Sequence, residues 1–444
     1  MSDILKPGDK VQTQSSALDC EVEFLLGSGG QGEVYQAKFG NESVALKWMH
    51  PHYLQWDTNL QERLKQAIVK QAPSESFLWP LELVFKRGNP SFGYIMALRP
   101  VQYKSLIDLM KRTITPIPTM RNLTTAGFQL ANSFFQLHAK GFCYRDISFG
   151  NVFFNPATGD VLICDNDNVD IDNREKTSAI LGTPGFMAPE IIARQSRPNK
   201  DTDLYSLAVL LFYLLFSHHP LEGRKEAKIK CLDLPSRERL YGSEAVFIFD
   251  PQNLSNRPVT GYQDNALIFW QIYPQFLKDL FIQAFTKGLR NPRDRVQETA
   301  WRKATIRLRD SIIYCPHCRA ENFYDTEILK TNRGRPQPCW SCKKEMKLPA
   351  RLRLDKQIVM LNYDTKLYPH HIDGQASYDF SRPIAEMSQH PKNPNIWGLK
   401  NLSREKWVIT NPNGEAKDVP PGRSVTLDTR KKISFGKVEG EVKI

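Results

Sequence analysis

Apolar and polar residues alternate through EVEFLL, VYQAKF and SVALKW between Glu21 and Trp48, and glycines interrupt the runs. Alternation of this kind marks half-buried strands, so the segment predicts a β meander. Leu60, Leu64, Ala67 and Ile68 fall at helical spacing between Asn59 and Lys70, and strand patterns return at LWPLELVF and FGYIMAL. Beyond Ser105 the period becomes helical, notably over 123–139 and 203–216 and again over 276–289 and 300–312. Pro and Asn cluster between His219 and Pro258, which reads as an excursion between helices. The last fifty residues alternate again between the tight turns NPNG and PPG, predicting a small all-β domain over 395–444. Residues 1–18 are polar and unpatterned and read as an N-terminal extension, and 351–394, rich in Pro, His, Asp and Asn, as a linker. No internal repeat is evident, and the fold class expected is α+β.

Length changes this picture only by requiring more than one core: 444 residues favour two to four domains. With 41% hydrophobic and 24% charged residues, the chain can bury such cores, which excludes global disorder. No run approaches the roughly 18 uncharged apolar residues needed to span a bilayer. MSDILKPGDK lacks the cationic start and apolar stretch of a signal peptide, so a cytoplasmic protein is expected. Charge is uneven. Residues 301–444 hold 27 Lys and Arg against 16 Asp and Glu, so nearly all of the net +12 lies there. Such a surface suits a nucleic acid, an acidic protein or anionic lipid, or is simply solvated, because Coulomb attraction alone does not choose among polyanions.

Candidate chemistry begins at Gly27-Ser28-Gly29-Gly30-Gln31-Gly32-Glu33-Val34, a glycine-rich loop between two strand-like segments. Glycines let backbone amides approach phosphate oxygens with no Cβ in the way, although a plain hairpin turn has the same spelling. About twenty residues on, Val44-Ala45-Leu46-Lys47 ends a strand in a lysine able to bridge phosphates. A helix carboxylate should hold that lysine, and Glu62 is the candidate, with Glu75 the alternative. Tyr144-Arg145-Asp146-Ile147-Ser148-Phe149-Gly150-Asn151 has the Asp-x-x-x-x-Asn spacing of a loop in which Asp accepts a hydroxyl proton and Asn binds magnesium. Cys164-Asp165-Asn166-Asp167 follows the strand VLICD and offers Asp165 as a second magnesium ligand. Asp and Asn also serve turns, so neither loop convinces alone. Gly182-Thr183-Pro184-Gly185-Phe186-Met187-Ala188-Pro189-Glu190 closes the segment, followed by Asp203 in DLYSLA and Arg295 in NPRDR.

The order and spacing of these elements over roughly residues 20–300 resemble the eukaryotic-type Ser/Thr protein kinases. That resemblance implies a bilobal kinase domain over 19–310, with an N-lobe to about 98 and a C-lobe from about 99. It implies ATP held by Gly27, Gly29, Gly30, Gly32, Val34, Ala45, Lys47, Met96 and Leu98. Asp146 is then the catalytic base, Asn151 and Asp165 hold magnesium, Asp203 braces the catalytic loop, and Glu190 with Arg295 forms a structural ion pair. Thr177, Ser178 and Thr183 become candidate autophosphorylation sites, with Arg145 available to pair with a phosphate. Ala188-Pro189-Glu190 argues for protein over small-molecule substrates. Three positions depart from the family pattern: Ser148 replaces a usual lysine, Tyr144 a usual histidine, and Asp167 the usual glycine. A silent ATP-binding scaffold is the competing reading.

Cys315-x-x-Cys318 and Cys339-x-x-Cys342, twenty residues apart, predict a four-cysteine zinc ribbon over 311–350. Four thiolates close a tetrahedral site with no position left for substrate, so the expected zinc is structural. His317, inside the first pair, is expected to be a solvated neighbour. The β-rich tail is reminiscent of forkhead-associated sheets but lacks a convincing set of phosphate-binding residues. The order kinase, ribbon, β-tail is similar to bacterial kinases of tellurite-resistance-associated phosphorylation triads. That similarity implies a metal-dependent Ser/Thr phosphatase and a von Willebrand factor A protein as partners.

Overall fold

Strands β1 (Lys10–Thr13), β2 (Asp19–Ser28), β3 (Gly32–Phe39), β4 (Glu42–Met49), β5 (Glu82–Phe85) and β6 (Phe92–Ala97) close into a barrel of order β1-β2-β3-β4-β6-β5. This is a computed structural model, and it describes residues 4–172, 180–355, 357–376 and 378–444. Between β4 and β5 lie helices α1 (Pro51–Trp56) and α2 (Leu60–Lys70). Helix α2 buries Leu60, Leu64 and Ala67, one stripe at helical spacing. The first residues do not form a free extension. Lys10–Thr13 pairs with both β2 and β5, and Leu5 is fully buried beside Val11, Val22 and Tyr35. Without β1 the barrel would expose two strand edges, and the short alternation KVQT was enough to supply the missing strand.

Strand β7 (Lys104–Ser105) leads into α3 (Leu106–Met110) and α4 (Met120–Ala139). Then come β8 (Phe142–Cys143), β9 (Val152–Phe154) and β10 (Val161–Ile163), α5 (Pro189–Ile192) and α6 (Lys200–Phe216). Strands β10, β9 and β7 form a small sheet that carries the loops on either side of β9. Helix α6 is apolar on every side and almost wholly buried, as expected of a helix inside a core. Its start is fixed by Asn199, whose side chain accepts from the backbone N–H groups of Asp201 and Thr202.

The chain divides into two compact units, Met1–Gln271 with Lys278–Lys303, and Ile272–Leu277 with Ala304–Ile444. The division falls within the helix Glu298–Asp310 and not after it, because the residues from Ala304 pack with the second unit. In that unit the hairpin Ile312–Tyr314 and Glu321–Phe323 carries the first cysteine pair. A six-stranded and a four-stranded sheet follow. The expected linker supplies strands to both: Arg351–Leu354 and Gln357–Met360 to the first, Lys366–Leu367 and Ala385–His390 to the second. Leu352, Leu354, Val359, Leu367 and Ala385 enter the same hydrophobic cluster as Leu399, Trp407, Ile433 and Val442. Residues 351–394 are therefore part of this core. Polar AEMSQH becomes a strand because Asn393–Asn401 pairs along its whole length.

Candidate active site and cysteine cluster

The β2–β3 hairpin places the glycine-rich loop at its tip, where the Gly29 N–H donates to the Gly32 carbonyl. Gly27, Gly29 and Gly30 are exposed, and a Cβ at Gly27 or Gly30 would meet nothing within 4 Å. Gly32 differs: its Cβ would lie 2.2 Å from the Trp48 carbonyl oxygen, so glycine there is demanded by close approach of β4. Behind the loop, Ala45 stands opposite Met96 in the β4–β6 register, and both join a cluster that Val34 and Leu98 border. The residues expected to hold an adenine thus share one apolar patch.

Lys47 ends in the same place and is buried. Its Nζ donates to Gln31 Oε1 at 2.7 Å, to Asp165 Oδ1 at 3.2 Å, and to both carboxylate oxygens of Asp167 at 2.9 and 3.0 Å. Burial by itself favours the neutral amine, but the carboxylates of Asp165 and Asp167 outweigh it and hold the ammonium pKa above the ordinary lysine value. Glu62 takes no part. It is exposed on α2 and accepts from Gln66, while Glu75 is exposed in the loop after α2. The expected helix carboxylate is corrected to Asp167, which also accepts from the Tyr94 hydroxyl at 2.9 Å. The helix shows Arg63 instead, whose guanidinium grips both oxygens of Asp57 at 2.7 Å. Two carboxylates spelled within Asp165-Asn166-Asp167 were the signal for this pairing.

Asp146 lies between β8 and β9 on a loop held from beneath. The Tyr144 and Arg145 backbone N–H groups donate to the two oxygens of Asp203 on α6, at 2.5 and 2.9 Å. His138 Nε2 meets Asp203 at 3.1 Å, and Nδ1 bonds Glu298. Asp203 therefore fixes the loop, and His138 and Glu298, which sequence reading passed over, fix Asp203. The Tyr144 hydroxyl donates to the Cys164 carbonyl, tying the loop to the turn that carries Asp165. Arg145 is buried, and its Nε donates to the Asn168 carbonyl at 2.6 Å.

Around Asp146 itself, Thr183 Oγ1 donates to Oδ1 at 2.7 Å and Asn151 Nδ2 to Oδ2 at 3.3 Å. Burial raises the Asp146 pKa above the usual carboxylate value; the hydrogen bonds from Thr183 and Asn151 oppose the shift and the charge of Asp165 adds to it. A raised pKa brings a carboxylate nearer to the range useful for accepting a proton at neutral pH. Asp165, in the left-handed region at φ 51°, keeps its side chain 34% exposed. Neither its Oδ2 nor Asn151 Oδ1 accepts a hydrogen bond among the described residues, which suits oxygen ligands for a hard divalent cation. Ser148 is buried and brings no cation to Asp146. Thr183 is engaged with Asp146, and Thr177 and Ser178 lie outside the described residues. Farther off, Arg295 pairs with Glu190 through two bonds of 2.8 and 2.7 Å.

In the second unit the sulfurs of Cys315, Cys318, Cys339 and Cys342 all lie within 4.8 Å of one another. The Cys315–Cys342 and Cys318–Cys339 separations are 3.6 and 3.7 Å. Four sulfurs at about 2.3 Å from one tetrahedral ion would stand about 3.8 Å apart, so the donor set and its spacing fit zinc. The His317 N–H and the Asn322 side-chain amide donate to Cys315 and Cys339 sulfurs, as outer partners of thiolates do. The His317 ring is exposed and stands outside the sulfur cluster.

Comparison with known proteins gives the first unit its relatives. A cell cycle serine/threonine-protein kinase of Saccharomyces cerevisiae is 31% identical over 220 residues, covering 47% of this chain and 30% of that protein. The DNA damage-responsive serine/threonine-protein kinase RqkA of Deinococcus radiodurans is 28% identical over 223 residues, 47% of this chain and 31% of that one. A serine/threonine-protein kinase of Myxococcus xanthus, pkn2, is 29% identical over 212 residues, 45% and 24%. The chain thus spans under a third of the length of each. The family model described as the protein kinase domain matches residues 20–260, more than half of the chain, and in that stretch lie the glycine loop, Lys47, Asp146, Asn151 and Asp165: this chain belongs to the protein kinase domain family.

Proposed function

We propose that this protein transfers the γ-phosphoryl group of ATP to Ser or Thr hydroxyls of other proteins and of itself. The observation that carries the reading is the meeting of Lys47 with Asp165, and of Asp146 with Asn151, beside an open glycine loop. Magnesium ATP supplies the phosphoryl group and the charge neutralisation its departure needs. Gly27, Gly29 and Gly30 leave room for backbone amides to reach phosphate oxygens, and Lys47 directs a permanent positive charge to the same place. Asn151 and Asp165 would hold the metal. Asp146 orients the acceptor hydroxyl and takes its proton, and Thr183 keeps the carboxylate turned toward it.

Substrates are proteins on this reading. The similarity to tellurite-associated triads makes a metal-dependent phosphatase and a von Willebrand factor A protein the first two to try. The four cysteines hold a structural zinc. Incubation with labelled ATP, magnesium and these candidates, beside Asp146→Asn, tests the reading. Label in the wild type and its loss by about a thousandfold in the variant are expected, since general-base positioning supplies roughly that factor. Equal labelling in both, or none in the wild type, overturns it. Nucleotide binding without transfer would instead favour the silent scaffold, for which the missing lysine at Ser148 is the specific argument.

A further inference from the structure

We propose that Asp167 is the positioning residue for Lys47, holding the ammonium at the phosphate site in place of a carboxylate from helix α2, so that Asp165 is left to the metal. The inference rests on the kinase reading and assigns within it a residue that the family pattern leaves as glycine.

A buried ammonium requires a counter-charge within hydrogen-bonding distance. Helix α2 does not provide one. Glu62 is exposed and occupied with Gln66, and the side chain that α2 turns toward the 165–168 turn is a cation, Arg63, which donates to the Asp167 carbonyl at 3.3 Å. Asp167 meets the requirement from another direction. Its carboxylate is buried, both oxygens reach Lys47, and the Tyr94 hydroxyl fixes its orientation. Tyr94 in turn stands opposite Lys47 in the β4–β6 register, so strand pairing sets lysine and tyrosine together, and the 166–168 turn brings the aspartate to both.

The two carboxylates of the turn are unlike each other. Asp167 is sequestered, with 0% of its side chain exposed, whereas Asp165 is 34% exposed and touches Lys47 through one oxygen at 3.2 Å. A carboxylate closed off by two donors suits a fixed ion pair; one open to solvent suits a cation that arrives with nucleotide. The remaining acceptor, Gln31 Oε1, is neutral and half-buried at the base of the glycine loop, its amide donating to Tyr53 and Asn168, and as the uncharged partner it is the contact a phosphate oxygen would replace. The consequence is regulatory. Placement of Lys47 follows the state of the 165–168 turn, and α2 bears on it through the Arg63 bond to the Asp167 carbonyl and not through a carboxylate of its own.

Nucleotide affinity decides the matter, measured as Kd for a fluorescent ATP analogue with magnesium saturating, and as a magnesium titration at fixed nucleotide. Asp167→Asn is expected to raise Kd by about tenfold to a hundredfold, the worth of a hydrogen-bonded charge, with the magnesium midpoint unchanged. Tyr94→Phe should move Kd the same way by less, and Glu62→Gln should leave it within about twofold, as for most exposed positions. A shifted magnesium midpoint with unchanged Kd would make Asp167 a metal ligand and overturn the proposal, as would loss of affinity in Glu62→Gln. If Asp167→Asn does not fold, Tyr94→Phe decides, and an unchanged Kd there overturns it. Wild type that binds no nucleotide would sink the kinase reading itself; wild type and Asp167→Asn binding equally would sink this inference alone.

Discussion

A neutral imidazole at His138 would face two carboxylates, Asp203 and Glu298, with a single proton to offer them. Protonation satisfies both. Burial alone would lower the His138 pKa, but hydrogen bonds to Asp203 and Glu298 overcome it and raise the pKa to about 9. Because the folded value lies above the ordinary one, the stabilisation is complete below about pH 6.5 and is lost as pH rises through about 9. Urea unfolding of the wild type and His138→Gln should therefore differ most in mildly acidic buffer. The gap should shrink by on the order of 3 kcal/mol between pH 6 and pH 10. A gap independent of pH would mean that His138 is neutral in the folded protein. The same imidazolium steadies Asp203, and with it the two backbone N–H groups that set the loop of Asp146, so loss of activity should parallel loss of stability on the alkaline side.

Within the β2–β3 hairpin, glycines that look equivalent in the sequence do different jobs. Gly32 lies against β4, where a methyl group would sit 2.2 Å from the Trp48 carbonyl oxygen, and the backbone oxygen cannot step aside without breaking the β3–β4 ladder. Gly30 has open space where its Cβ would be. Gly32→Ala should cost several kcal/mol, on the order of 3, and show as a large fall in melting temperature or loss of soluble protein. Gly30→Ala should melt within a few degrees of the wild type and show its effect in the KM for ATP. Equal melting temperatures for the two variants would contradict the difference in packing.

For the molecule as a whole, the cysteine cluster ties the stability of the second unit to metal binding on the zinc reading proposed above. Cys315 and Cys339 sit in a cluster with Ile313, Met346 and Met360, so the four-cysteine site and the strand that carries Met360 share one small core. Zinc-bound protein should contain about one equivalent of metal by elemental analysis. Removing it with a strong chelator, or by Cys339→Ser, should lower the melting transition of the second unit, because binding energy at a structural zinc is folding energy. The transition of the first unit should be unaffected. Protein that lacks zinc and melts identically with and without chelator would rule the metal out.

What the sequence determined by itself was local. A strand carrying Lys47, which runs on two residues past it to Met49, a glycine-rich hairpin, Asp146 five residues before Asn151, and two C-x-x-C pairs are spelled within a few residues each, and chain geometry leaves such neighbours little choice. The alternation of RLRL at 351–354 and KVQT at 10–13 was equally local, yet it was outweighed by the polar character of the surrounding residues. Only the tertiary structure decided partners. Whether Lys47 would meet Glu62, fifteen residues away, or Asp167, 120 residues away, depended on the approach of the turn after β10 and on which face α2 presented. His138 finding Glu298 across 160 residues, and β1 closing the barrel, are decisions of the same kind. The physical reason is that a buried charge or an open strand edge accepts whichever complementary group packing delivers, and sequence distance has no part in that delivery.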